Sequence, residues 1–273
     1  MAGNLSQFRI QTFRFLSLRE EDQDPRTRAY KHPWSERKVV CNAARFERKS
    51  PWRLAAWADQ EGLAFTKQYF ACWPSLGISE FALAAVLSSP FACAFSYERD
   101  LGVDNHIATL LTLPIPKLEC LSVSSSLHRQ AKEIQSRLSP RSFAQQASAH
   151  EITEALIRLD AAVLEAYDLP ARAQRQLLDQ FQGWKRPVAV PFTGYFPENF
   201  KDVLTLQDFV AIQYDWDTTN ELRCDLIEKG LSAVGLTTEE HEELDHLQHL
   251  ADLLVRLKDP LPVGRTRQPH GGT

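Results

Sequence analysis

Residues 38–74, KVVCNAARFERKSPWRLAAWADQEGLAFTKQYFACWP, and the adjoining 79–98, SEFALAAVLSSPFACAFSYE, decide the fold class. Within the first, 37–43, 52–58 and 63–70 are short apolar runs rich in β-branched and aromatic residues, which predicts three strands. Asp59-Gln60-Glu61-Gly62 predicts a hairpin turn between the last two, with Gly62 free to take a positive φ. Upstream, FRIQTFRFL (8–16) alternates apolar and polar residues and predicts a fourth strand. From Ser79 the spacing becomes helical through Phe81, Leu83, Ala84, Val86 and Leu87, and Pro90 marks a break or a second helix start. LPIPKL (113–118) carries prolines at alternate positions and predicts an extended segment.

Beyond residue 124 the pattern is almost wholly helical. Helices are predicted over 127–138, 150–167 and from Asp168 to Gly183, with Asp168 as N-cap and Pro170 in the first turn. A proline- and aromatic-rich loop, GWKRPVAVPFTGYFPENF (183–200), separates these from a helical hairpin, 206–231 and 237–257. Gly235 supplies the break, and Thr237 with Glu240 forms a capping box. The expected fold is therefore α+β: an N-terminal mixed domain with short strands (1–123), a helical connector (124–200), an acidic antiparallel helical hairpin (201–262) and a tail (263–273).

The chain has 273 residues, 44% of them hydrophobic and 24% charged. That balance suits a buried core and excludes a disordered or disulfide-framework protein. No apolar run approaches the roughly 18 residues of a membrane span. MAGNLSQFRI does not read as a secretory signal. The cysteines at 41, 72, 93, 120 and 224 form no CxxC pair. A reducing cytoplasm is the expected location.

Charge is unevenly distributed. Between Arg26 and Arg53 nine basic residues face two acidic ones, a local net of +7. Between Lys201 and Pro260 five basic residues face fourteen acidic ones, a net of −9. A basic front and an acidic back point to a polyanion at one end and a different partner at the other.

The common catalytic frames are missing. None of the 11 glycines forms GxG, so neither a dinucleotide nor an S-adenosylmethionine loop of that type is present,. The (N/D/S)PPY tetrad, GxSxG and HExxH are also absent. His241, Asp245 and His249 recur every four residues and share a helix face at metal-ligand spacing, though a polar surface face has the same pattern. Glu36-Arg37-Lys38 and Glu47-Arg48-Lys49 are ExK triplets downstream of Asp22 and Asp24. A Mg²⁺-dependent nuclease could use such carboxylates, although ExK arises easily in a basic segment.

Several strings carry a family resemblance. Residues 38–74, LAAVLSSPFACAFSYE (83–98) and LLTLPIPKL (110–118) resemble, in that order, the target-recognition region of bacterial N6-adenine DNA methyltransferases and related restriction-modification specificity domains. LSSPFACAF (87–95) is similar to the family's LNSPLANAF-like helix, and LPIPKL to its IPIP segment. Residues 159–181 and YFPENF (195–200) resemble the segments C-terminal to IPIP in those proteins. The last hairpin, 215–262, is similar to a helical segment of bacterial proteins of uncertain role. The family's catalytic methyltransferase domain would precede residue 1, so the resemblance implies recognition without catalysis and without a cofactor.

It implies a specificity subunit that binds double-stranded DNA and acts with a separate methyltransferase or nuclease. A Mg²⁺-dependent nuclease, or a scaffold left from a methyltransferase, are the alternatives. The candidate DNA-contacting residues are Arg37, Lys38, Arg45, Arg48, Lys49, Arg53, Arg99 and Asn105. Lysine and arginine near phosphates displace counterions. The arginine fork matches guanine O6 and N7, and asparagine matches adenine N6 and N7. Trp34, Trp52, Trp57 and Trp73 read as packing residues.

Overall fold

KVVCN forms strand β3 (Lys38–Asn42), buried along its whole length. A strand buried at every position needs cover on both faces and a neighbour on each edge. β4 (Ala56–Asp59) and β5 (Tyr69–Cys72) flank it, both antiparallel, giving the order β4-β3-β5. The expected direct hairpin between the second and third of these strands is thus not formed, because β3 lies between them. The structure, a computed structural model, describes residues 5–10, 32–65, 68–75, 77–99, 104–116, 121–138, 148–198, 200–233 and 235–258. The chain divides into two units, Met1–Gln207 and Asp208–Thr273.

The turn after β4 is organised by Asp59. Its carboxylate accepts the backbone N–H groups of Glu61 (2.9 Å) and Leu63 (2.8 Å) and pairs with the buried ammonium of Lys38. Gly62 takes φ +78°, and a Cβ there would sit 3.3 Å from the Trp34 carbonyl oxygen. Residues 52–55 do not join β4 as expected. The Asn42 side chain takes their backbone instead, accepting from Ala55 N (2.7 Å) and donating to the Arg53 carbonyl (2.9 Å). Of the expected strand 8–16, Arg9–Ile10 forms β2, paired with β1 (Leu5–Ser6). The remainder, 11–16, lies outside the described residues.

Helix α1 (Glu80–Ser88) is buried at all nine positions. Between Phe81 and Leu87 its sequence is apolar on every side, as a helix with cover all round must be,. β3 and β4 lie against it, as do α4 (Leu121–Leu138) and α5 (Ala149–Ala166), so it forms the middle layer of the first unit. Each fully buried Leu, Val or Phe there contributes about 2 kcal/mol. Ser79 caps its start, accepting from Phe81 N (3.1 Å) and Ala82 N (3.4 Å). Its end is set by Pro90, which starts α2 (Pro90–Arg99). Ser89, extended as residues before proline usually are, also accepts from Ala92 N at 3.2 Å, in the manner of an N-cap,.

A short helix, α3 (Ile107–Leu111), comes next, and residues 113–116 have no regular structure. α5 begins with a capping box of Ser148 and Glu151. Asp168 is not the N-cap of the next helix. At φ +52° it sits in the left-handed region, with its N–H on the Glu165 carbonyl, and so closes α5,. Pro170 is the N-cap of α6 (Ala171–Asp179).

Edge strand β4 is closed by neighbours rather than left bare. Phe8 N donates to the Ala56 carbonyl (3.0 Å), and Ala56 N donates to Ser88 Oγ (2.9 Å). Gln135 of α4 accepts from Ala58 N (3.0 Å) and donates to the Ala58 carbonyl (2.7 Å). Beside this edge lies a buried polar hub. Arg186 forms a two-pronged pair with Asp160 of α5, donates Nε to Gln7 (2.6 Å) and reaches the Ser88 carbonyl (3.4 Å). Tyr195 donates to Asp160 at 2.8 Å, and the guanidinium lies 4.9 Å from the Trp52 ring centre. Burial pushes the Asp160 carboxyl up, and Arg186 and the Tyr195 hydroxyl pull against it.

The predicted single helix 206–231 is two, α7 (Leu206–Gln213) and α8 (Trp216–Leu231), separated by Tyr214–Asp215. α9 (Thr238–Lys258) begins after the Gly235 turn (φ +67°). The Thr237–Glu240 capping box is present. Arg223 meets Gln248 and Lys229 meets Glu240, so α8 and α9 run antiparallel. Leu226, Leu247, Leu250 and Leu254 are buried in this unit. Among the described residues no single helix is long and apolar enough to cross a membrane.

This packing sets two expected outcomes. Arg186→Met strands a buried carboxylate and should lower the unfolding free energy from denaturant titration by about 3–5 kcal/mol, part of which Asp160→Leu in the same chain restores. The Cys41 and Cys93 thiols are pushed up to about 12 by burial. Iodoacetamide at pH 8 should leave both unlabelled in the native protein by peptide mass mapping, and label both in denaturant. Because their folded values are raised, the unfolded state loses protons first, so they remove stability as pH climbs above about 9.

Candidate nucleic-acid interface

β3 separates the candidate residues into two groups. At its start Arg37 is exposed. Around it stand half-buried Trp34, Phe65 and Trp73 and the exposed His32. Trp34 meets Phe65 edge-on at 5.1 Å, and His32 stacks on Trp73 at 6.1 Å. Of the four tryptophans read as packing residues, Trp52 is in the core and Trp57 is half-buried. Lys38, the next residue, is fully buried. It holds Asp59 and donates to the Trp34 carbonyl at 2.7 Å. Its place is in the interior, and it offers nothing to a DNA groove.

The other group is built from three segments. Residues 43–51 leave the far end of β3, where Arg45 is half-buried and Glu47, Arg48 and Lys49 are exposed. Arg45 Nη1 donates to the Arg48 carbonyl at 3.4 Å. Asp104 bridges to Ala44, and Asn105 N donates to the Ala43 carbonyl (2.7 Å). The Asn105 side chain donates to the carbonyls of Asn42 (3.2 Å) and Arg53 (3.0 Å). Arg53, 3% exposed, lies 4.8 Å from the ring centre of Tyr97 on α2. The last turn of α2 therefore comes close to this segment, and Arg99, exposed, lies 4.3 Å from the Phe95 ring centre.

Arg53 and Asn105 are consequently interior supports, and Arg45, Arg48, Lys49 and Arg99 are the accessible cations at this end. Asn42 was not among the predicted residues, yet its side chain ties together Ala44, Arg53 and Ala55. The signal for it in the sequence is a single amide directly after the apolar run Val39-Val40-Cys41. The segment is not uniformly positive, since the exposed Glu47, Glu98 and Asp104 stand among the four cations. Arg37 stands about 20 Å from Ala43 along the strand at the usual rise.

Glu36 and Glu47 fall at opposite ends of β3, so the two ExK triplets do not share one site; Asp22 and Asp24 lie outside the described residues. Among the described residues no three His, Cys, Asp or Glu side chains gather as metal ligands, and His241 and its neighbours Asp245 and His249 are spread along α9. No protein-family model, curated protein or solved structure matches the chain.

The two classes of cation separate by experiment. Lys38→Met leaves Asp59 buried and unpaired and should lower stability by about 3 kcal/mol or more. By the same denaturant titration, Arg48→Ala and Lys49→Ala should stay within about 0.5 kcal/mol of the parent.

Proposed function

We propose that this chain is a non-catalytic DNA-recognition subunit of a restriction-modification or phage-defence system, acting with a separate methyltransferase or nuclease. The observation that carries the reading is the turn of half-buried Arg45 and exposed Arg48 and Lys49, tied to the strand by the amides of Asn42 and Asn105. Recognition needs cations placed over a fixed support, so that phosphate contacts set the register and one side chain can reach a base edge. Arg48 and Arg99 are residues with the fork needed for guanine. The ordered resemblance of 38–118 to methyltransferase target-recognition regions supports the same reading.

A labelled duplex titrated at several salt concentrations tests it. Four phosphate contacts give a slope of log K on log salt of about −3.6. Arg48→Ala and Lys49→Ala should each flatten that slope by about 1, and Arg48→Ala should also relax sequence preference. A salt-independent or absent interaction overturns the proposal. So does Mg²⁺-dependent plasmid cleavage that Glu36→Ala or Glu47→Ala abolishes.

A further inference from the structure

We infer that the helical unit carries a docking surface for a basic amphipathic helix of a protein partner, centred on a pocket at the α7–α8 elbow. The inference stands apart from the DNA-recognition reading, since every residue it uses lies between Asp208 and Lys258. The elbow is set by Tyr214 and Asp215, whose N–H groups both reach the Val210 carbonyl (2.9 and 3.2 Å). α8 therefore restarts at Trp216 and leaves a cavity of about 620 Å³ against the last turn of α9. Ile212, Tyr214, Trp216, Leu254 and Leu257 supply its apolar lining. A volume of that order has room for several large side chains from one face of a helix. Leu257 is 44% exposed, and the adjacent Val255 is 63% exposed.

Charge complementarity identifies the occupant. Asp215 and Asp217 line the same pocket as the aromatic rings, with Lys258 the one base among its lining residues. A cation on an aliphatic stem satisfies both features at once, because the stem packs on Leu254 and Leu257 and the head meets the exposed Asp217 carboxylate and the ring faces,. From Asp217 the exposed acids Glu221, Asp225 and Glu228 continue along one face of α8, with Leu222 exposed among them. The bases of α8 are engaged elsewhere: Arg223 with Asn220 and Gln248, and Lys229 with Glu240. Residues 208–258 hold twelve acids and four bases, so a second copy of this unit or a nucleic acid would be repelled,. A helix with leucines on one stripe and lysine or arginine beside them fits groove and charge together.

The probe is a synthetic leucine–lysine amphipathic helix of about 18 residues, five turns long, titrated into the full chain by anisotropy, with a leucine–glutamate helix as control. The basic helix is expected to bind saturably and the acidic one not at all. Leu257→Ser and Trp216→Ala should each weaken binding about tenfold. Leu257 is partly exposed, so its variant keeps the test valid if Trp216→Ala melts early. Glu221→Lys with Asp225→Lys should weaken binding comparably. Glu239→Lys with Glu242→Lys, the same charge change at the far end of α9, should alter it less than about twofold. Loss of binding equal in the two charge-reversal pairs, with none from Leu257→Ser, overturns the inference in favour of diffuse attraction. Absence of binding, or self-association abolished by Leu257→Ser, overturns it as well.

Discussion

A guanidinium at 1% exposure is tolerable only if its N–H groups are used and its charge is met, because the desolvation cost of an unmet buried charge exceeds most single stabilising terms,. Arg186 meets that condition only where four separate segments arrive together: Gln7 from the N-terminal hairpin, Ser88 from the end of α1, Asp160 from α5, and Trp52 below the planar face. Tyr195 then fills a remaining acceptor site on Asp160. Gln7 and Arg186 are 179 residues apart. Closing a loop of that length carries a chain-entropy cost that falls as the chain between is ordered, so the hub and the rest of the first unit stabilise one another.

The break at Ser89-Pro90 is what makes the hub possible. In an uninterrupted helix the Ser88 carbonyl would accept from the N–H of residue 92. Here Ala92 N goes to Ser89 Oγ, and the Ser88 carbonyl is released to Gln7 (2.8 Å) and Arg186. The same residue's hydroxyl closes the β4 edge at Ala56. One helix terminus thus supplies an acceptor to the ion pair and an acceptor to the sheet. Helix ends always carry such orphan groups, and this fold places them on its two most exacting requirements.

Local structure was legible where the cause is local. The α1–α2 break at Pro90, the Gly62 and Gly235 turns, and the Thr237–Glu240 box arise from residues within a few positions of one another. The strand order β4-β3-β5 was not legible, because neighbouring strands with a plausible turn between them look like a hairpin whether or not they pair. The 206–231 segment read as one helix because the elbow at Tyr214–Asp215 contains neither glycine nor proline. Asp168 before Leu-Pro looks like an N-cap in sequence, yet it takes the left-handed conformation that ends the preceding helix. The hub was invisible for a further reason: Arg186 and Asp160 are an ordinary loop cation and helix anion until their partners, tens of residues away, are known.

The same limit governs the reading of charge. A regional count treats every lysine and arginine as surface, yet Lys38 is cancelled by Asp59 in the interior and Arg53 is covered. Arg26, Arg28 and Lys31 lie outside the described residues. The remaining cations divide between the two ends of β3, about 20 Å apart, which is more than twice the screening length of roughly 8 Å at physiological salt. They therefore cannot act as one electrostatic patch. With the exposed Glu47, Glu98 and Asp104 standing among Arg45, Arg48, Lys49 and Arg99, long-range attraction from that end is weak. Any hold it takes on a polyanion must come from close contacts of individual side chains.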